Sequence, residues 1–150
     1  MQTELLLGAV GMASLTVRPL DTGIAQGFSD LPVLATTATI NVVESACTAA
    51  IAEYFETGET SVTVGVAVQV RGSVAVGNEV RAVVRAVELT DDILTFDCEI
   101  HQDQRIIAVA QLQRRLVDRV SFMAKSAAEN LRATDAVSYT HLTLPTKRIV

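Results

Sequence analysis

The stretch from Thr36 to Phe55, TTATINVVESACTAAIAEYF, constrains the fold more than any other part of the chain. It predicts one long helix that is almost wholly apolar, with a strong acid, Glu44, set well inside it. One face of this helix comprises Thr36, Ile40, Val43, Glu44, Cys47, Ile51 and Tyr54. The opposite face is small rather than charged, so we expect the helix to be buried on most sides. Because a buried carboxylate without a partner is costly, Glu44 is the first candidate for a functional role.

Segments with alternating side chains surround this helix and predict β-strands. Their predicted bounds are 14–17 before the helix, and 62–70, 79–90, 93–101 and 105–117 after it. Valine occupies every second position from Val62 to Val70, which predicts one β-branched face pressed against the helix. Short turns between the later strands favour an antiparallel meander. The sequence therefore predicts an α+β fold, the hotdog fold, in which a curved antiparallel sheet wraps round one long central helix.

The length of 150 residues indicates one domain, to which we assign residues 1–135. Residues 119–132 could form a short amphipathic helix at its end. The segment 136–150 breaks the pattern in composition and charge. We interpret it as a non-native extension or a disordered tail.

Composition and charge exclude several classes of function. The formal charge of −5 comes without a basic stripe, which argues against nucleic acid and against an anionic membrane surface. No run of 18 apolar residues predicts a membrane span, and the first residues lack the basic region of a signal peptide. Cys47 and Cys98 lie in apolar patterns typical of reduced, buried thiols in a cytoplasmic protein. Nucleotide-binding glycine motifs and Cys/His clusters are missing, so we expect no cofactor and no metal.

The residues around the helix start resemble a known family. The segment 30–36, DLPVLAT, followed by 43–47, VESAC, is similar to the signature of fluoroacetyl-CoA-thioesterase-like hotdog proteins. The similarity runs from about Val17 to Lys125 and includes GETSV at 58–62 and Arg114 in the last strand.

The resemblance implies a homodimer that hydrolyses acyl-CoA thioesters, with coenzyme A as part of the substrate. It also implies a reactive set of a threonine at the helix start, a glutamate on the helix and a histidine on the next strand. The first two map to Thr36 and Glu44. The position expected to carry the histidine is Val70, so this chain departs from the family pattern there.

Glu44 could act as a general base on water or as a nucleophile on the thioester carbonyl. The other interpretation is a structural glutamate at a subunit interface. Thr36 could orient Glu44 or donate to the substrate, but eight residues separate them by about 12 Å along a helix. They could therefore meet only if Thr36 folds back in a loop, or if the glutamate serves the site of another subunit. Otherwise Thr36 is a plain helix cap.

Four further positions are candidates for substrate contact. The backbone N–H groups around Thr37 and Ala38, at the helix start, could hold an oxyanion. Val70 would make the site drier and more apolar than a histidine would. Arg114 could bind CoA phosphates, as could its neighbour Arg115, although a solvated strand end explains both equally well.

Two other reactive side chains fit catalysis poorly. His101 alternates with Asp97 and Glu99 on a polar strand face, which is not where we expect a catalytic base. Cys47 sits in the middle of the helix without a base in view. The leading hypothesis is an acyl-CoA thioesterase that uses a helix carboxylate. The alternatives are a non-catalytic acyl-CoA or small-ligand binding protein, because of Val70, and a purely structural dimer.

Overall fold

The computed structural model describes residues 3–140, which form five strands and four α-helices. Short helices α1 (Thr3–Leu6) and α2 (Gly23–Gln26) flank β1 (Val10–Thr16), and the long helix α3 (Thr36–Ile51) continues as a 3-10 turn over Ala52–Tyr54. The remaining elements are β2 (Glu59–Val70), β3 (Glu79–Thr90), β4 (Ile93–Gln102), β5 (Arg105–Asp118) and α4 (Arg119–Thr140). A further 3-10 turn covers Pro19–Asp21. Each predicted strand is present, within a few residues of its expected ends.

The five strands form one antiparallel sheet in the order β1-β3-β4-β5-β2. The prediction of a simple meander is wrong for β2, which lies at the far edge beside β5 and not beside β3. Three strand spacings of about 4.8 Å separate β2 from β3, and an eight-residue extended link can span about 26 Å. Residues 71–78 are therefore long enough to cross the sheet, although their sequence pattern predicts a local bend and turn.

The predicted valine face of β2 is also wrong, because a β-bulge divides the strand. Thr63 pairs with Arg114 and Gly65 pairs with Gln113, so one residue on β2, Val64, has no partner on β5. Paired residues share a face of the sheet, and a bulge therefore reverses the alternation beyond it. Val62, opposite Arg115, lies on the outer face, whereas Val66, Val68 and Val70 lie on the inner face that the helix also faces.

Helix α3 covers only part of that inner face, because it contacts β1 and β3 far more than β2. The helix and β1 approach each other closely at Gly11, where an added Cβ atom would lie 2.2 Å from the carbonyl oxygen of Ala46. Small residues on both elements thus let helix and strand backbones meet. Phe96, Leu94 and Ile100 complete the core beneath the helix and are fully buried.

The face of α3 that points away from the sheet is exposed in the single chain. The prediction that the helix is buried on most sides is therefore wrong for the single chain. Asn41, Ser45, Thr48 and Ala49 are exposed there. The buried residues of the helix are Ala38, Thr39, Val42, Val43, Ala46, Cys47, Ala50 and Ile51. Small polar side chains on one face give α3 an ordinary solvent side without any charge.

Helix α4 extends beyond the predicted end of the domain, because its backbone continues through residues 136–140. The rest of the proposed tail, residues 141–150, lies outside the described residues. No helix between residues 3 and 140 is long and apolar enough to cross a bilayer.

Candidate active site

The carboxylate of Glu44 meets the sheet where β2 and β5 pair. Its Oε1 atom accepts a hydrogen bond from Thr63 Oγ1 at 2.6 Å and another from Arg114 Nη1 at 2.9 Å. The Glu44 side chain remains 35% exposed. The acid inside the apolar helix is therefore neither deeply buried nor unpaired; it has a cation beside it and an open side.

Arg114 is the anchor of this cluster. Its Nε donates to Ser61 Oγ at 2.7 Å, its Nη2 to the Ser61 carbonyl at 3.0 Å, and its Nη1 to both Glu44 and Thr63. The side chain is only 13% exposed. Its guanidinium donors are therefore directed at protein atoms. The Arg115 side chain is more exposed, and its Nε atom lies 3.4 Å from Asp92 Oδ2.

Ser61 and Thr63 were missed by reasoning from the sequence. Strict alternation along β2 would place Thr63 on the face opposite Val66, Val68 and Val70, away from the helix. The bulge at Val64 brings it to the inner face instead. Gly65, a glycine inside a strand, is the signal that could have revealed the bulge.

The start of α3 is separate from this cluster. Ala35 is the N-cap residue, and Thr36, Thr37 and Ala38 form the first turn, so Thr36 is near the cap but is not itself the cap. Among the described residues, none accepts a hydrogen bond from the backbone N–H groups of these three. Thr36 and Thr37 line an open cavity of about 350 Å³ together with Phe28.

Thr36 does not reach Glu44 within one chain. It lies in the helix rather than in a folded-back loop, so the rise of about 12 Å over eight residues separates the two. Glu44 takes its hydrogen bonds from β2 and β5 instead.

Val70 lies at the far end of β2 from the Glu44 cluster. It pairs with Ala108, whereas Thr63 pairs with Arg114, six residues further along β5. That offset corresponds to about 20 Å along the strand. Val70 is 48% exposed and is not pressed against α3.

The two doubtful candidates have other surroundings. The Nε2 atom of His101 lies 3.1 Å from Glu99 Oε1. Both side chains lie on one face of β4, away from Glu44. A hydrogen bond with Cys98 and burial both raise the pKa of the Cys47 thiol above its ordinary value. A thiol held in its protonated form is a poor nucleophile, which agrees with the low expectation for Cys47.

A five-stranded antiparallel sheet curled round one long helix defines the hotdog class of proteins. The chain belongs to the fluoroacetyl-CoA-specific thioesterase family, FlK, whose model matches residues 17–120. This match confirms the family that the helix-start signature resembles. No curated protein sequence matches the chain.

Solved structures of this class share the fold. The fluoroacetyl-CoA thioesterase FlK, solved as a threonine-to-serine variant with acetyl-CoA, is 22% identical, with a TM-score of 0.74 over 82% of this chain and 97% of that one. A thioesterase superfamily member from Thermus thermophilus is 20% identical, with a TM-score of 0.80 over 87% and 97%. A hot-dog-like protein from Thermanaerovibrio acidaminovorans is 16% identical, with a TM-score of 0.77 over 87% and 97%.

Proposed function

We propose that this chain hydrolyses acyl-CoA thioesters and that Glu44 is its catalytic carboxylate. The observation that carries the proposal is the position of Glu44, which Arg114 holds at 2.9 Å while about a third of the side chain stays exposed. The family to which the chain belongs supports thioester hydrolysis in general. Arg114, which faces the carboxylate, supplies a permanent positive charge beside the reaction and not a contact with CoA phosphates.

Two chemical routes are open to a carboxylate at this position. As a general base, Glu44 would take a proton from water while the oxygen adds to the thioester carbonyl. The carbon–sulfur bond would then break, and the CoA thiolate would receive a proton. As a nucleophile, Glu44 would form an anhydride with the acyl group, and water would then release the acid. Both routes use only side chains and water, without a cofactor.

The substrate carbonyl needs donors for its developing negative charge. We assign this role to the backbone N–H groups of Thr36, Thr37 and Ala38, with the Thr36 hydroxyl assisting. Because Glu44 lies about 12 Å further along the same helix, one substrate carbonyl cannot contact both the helix start and Glu44 of a single chain. The proposal therefore requires a homodimer in which the helix start and the carboxylate of one site come from different copies.

Strand β2 is suited to join two copies. It is an edge strand, paired with β5 on one side only, and an edge strand can pair with another chain. A two-fold axis halfway between Thr63 and Val70 would pair two β2 strands antiparallel. Val70 of one copy would then lie beside Thr63 of the other, and so near a Glu44 carboxylate. Its apolar side chain would line the acyl pocket where the family pattern expects a histidine.

Hydrolysis is tested with the full-length protein and a panel of acyl-CoA thioesters, from acetyl-CoA to long-chain acyl-CoA, by following the released thiol. We expect turnover, and a loss of about 10²- to 10⁴-fold for Glu44→Gln. The matched control is Glu53→Gln, which changes an exposed carboxylate just beyond α3 and should leave the rate unchanged. No hydrolysis above background across the panel would end the enzyme proposal.

The shared site is tested by mixing two impaired variants, Glu44→Gln and Thr36→Ala, under conditions that exchange subunits. A mixed dimer would contain one site with both native groups, so statistical mixing should give about a quarter of the wild-type activity. Each variant alone should be less active than the mixture. An absence of recovery in verified mixed dimers would overturn the shared site.

A binding protein without turnover is the second candidate, and Val70 is the observation that favours it. Saturable acyl-CoA binding by calorimetry without hydrolysis would support it, and neither binding nor hydrolysis would leave a structural dimer with Glu44 at its interface. Val70→His restores the expected base and should raise the rate. An unchanged rate in the folded variant would remove position 70 from the catalytic site.

A further inference from the structure

Thr63 contacts both charged groups of the site. Its Oγ1 atom lies 2.6 Å from Glu44 Oε1 and 2.9 Å from Arg114 Nη1. A guanidinium can only donate hydrogen bonds, so the Thr63 hydroxyl accepts from Arg114 and gives its single proton to Glu44. The hydrogen bonds therefore run in one direction, from Arg114 through Thr63 to the carboxylate.

Both donors end on the same carboxylate oxygen. Arg114 Nη1 reaches Glu44 Oε1 directly at 2.9 Å, in addition to its bond with Thr63. Among residues 4–132, Oε2 has no hydrogen-bond partner, and the side chain is 35% exposed. One oxygen is thus fixed by two donors, and the other is left for water or substrate.

We propose that Thr63 is a positioning residue that holds Oε1, so that Oε2 is the oxygen that takes the proton from water or attacks the thioester. This inference rests on the proposed function of Glu44. It assigns a role to the bulge at Val64, since regular alternation would turn the Thr63 hydroxyl away from the helix. Ser61 supports the arrangement by binding the other donors of Arg114 and fixing the guanidinium plane.

The test compares Thr63→Val, which keeps the shape and removes the hydroxyl, with Thr63→Ser, which keeps the hydroxyl. We expect Thr63→Val to lower kcat by about 10- to 100-fold, the factor that a lost hydrogen bond to a charged group represents. KM should stay within about twofold, because ground-state binding is unchanged. Thr63→Ser should retain most of the wild-type kcat.

Thr60→Val is the matched control, because it removes a hydroxyl from the same strand on the outer face, opposite Val117. It should leave kcat and KM unchanged. A loss of kcat in Thr63→Val that appears equally in Thr60→Val, or that is not rescued by Thr63→Ser, would overturn the positioning role. A purely structural role would lower the melting temperature without separating kcat from KM.

Crystal structures of the wild type and of Thr63→Val provide a readout that needs no turnover. We expect the Glu44 carboxylate to rotate or to lose its single orientation once the hydroxyl is gone. An unchanged orientation would overturn the inference even if the enzyme is active. A wild type without hydrolysis would defeat the proposed function, while these structures would still decide whether Thr63 positions Glu44.

Discussion

The inner face of the sheet has two halves that differ in what covers them. Under α3, the side chains of Leu94, Phe96 and Ile100 on β4 are fully buried. At the edge formed by β5 and β2, Val66 and Val70 point from the same face and are as apolar, yet they are 43% and 48% exposed. The difference shows that the reach of the helix, and not the apolar character of a side chain, decides which residues of the inner face are buried.

The polar cluster lies where these two halves meet. Glu44 comes from the helix, while Arg114 and Thr63 come from the neighbouring strands β5 and β2. A carboxylate at this boundary can be held by partly buried donors on one side and still be reached from the other. The half covered by α3 therefore holds the carboxylate in place, and the open half leaves it accessible.

Removing the largest side chain of the covered half should have the largest effect on stability. Phe96→Ala leaves a cavity beneath α3 and should lower the free energy of unfolding by about 3–5 kcal/mol. Val66→Ala, on the same face in the open half, should cost less than about 1 kcal/mol because little apolar surface is lost from the core. Urea denaturation measures both values. Similar losses at the two positions would contradict the exposure of the open half.

Gly11→Ala should have the next largest effect. The new Cβ would lie 2.2 Å from the Ala46 carbonyl oxygen and 2.8 Å from the Ala50 Cβ, so α3 must move away from β1. We expect a loss of about 2–3 kcal/mol in the free energy of unfolding. In the control, Gly65→Ala, the new atom would lie 3.1 Å from the Oε1 atom of Gln113, whose flexible side chain can swing aside. A tolerated Gly11→Ala would contradict the close approach.

The sequence predicted what depends on local periodicity. Alternation located β3, β4 and β5 almost to the residue, and the apolar run located α3 with its acid, Glu44. The position of β2 at the far edge was not predictable from loop length, because an eight-residue link permits either a turn or a crossing. The length of α3 was predictable, but the strands that it covers were not.

The site depends on contacts between distant segments, and these were the least predictable part. Arg114 was noticed, but its pairing with Glu44, 70 residues earlier, required the sheet order. The position of Thr63 on the inner face could not be predicted, because one unpaired residue, Val64, reverses the alternation of side chains along β2. The roles of Thr36, Thr37, Ala38 and Val70 remain predictions, since each requires a second copy of the chain.

Another acid–arginine pair is formed by Arg18 and Asp21, and its loss should have a smaller effect on stability than the changes above. It can be compared with the pair formed by Glu44 and Arg114. Arg18 donates three hydrogen bonds of 2.9 Å to the carboxylate of Asp21, one from its backbone and two from its side chain. Unlike Glu44, Asp21 is only 6% exposed, and its own carbonyl accepts from the N–H of Ala35, just before α3. Asp21 therefore fixes the start of the helix, while Glu44 remains accessible.

The pH dependence of stability should reveal this structural role. Hydrogen bonds from the Arg18 side chain hold the pKa of Asp21 below its ordinary value. A lowered pKa in the folded state stabilises the fold above the unfolded value of about 3.9, and this contribution is lost as the pH falls through the folded value. Asp21→Asn should therefore lower the urea midpoint at pH 7 by less than Gly11→Ala does, and the difference from wild type should narrow as the pH drops below about 4. Arg18→Met should reproduce this behaviour. A difference that stays constant down to about pH 2.5 would mean that the Asp21 carboxylate acts through its shape and not through its charge.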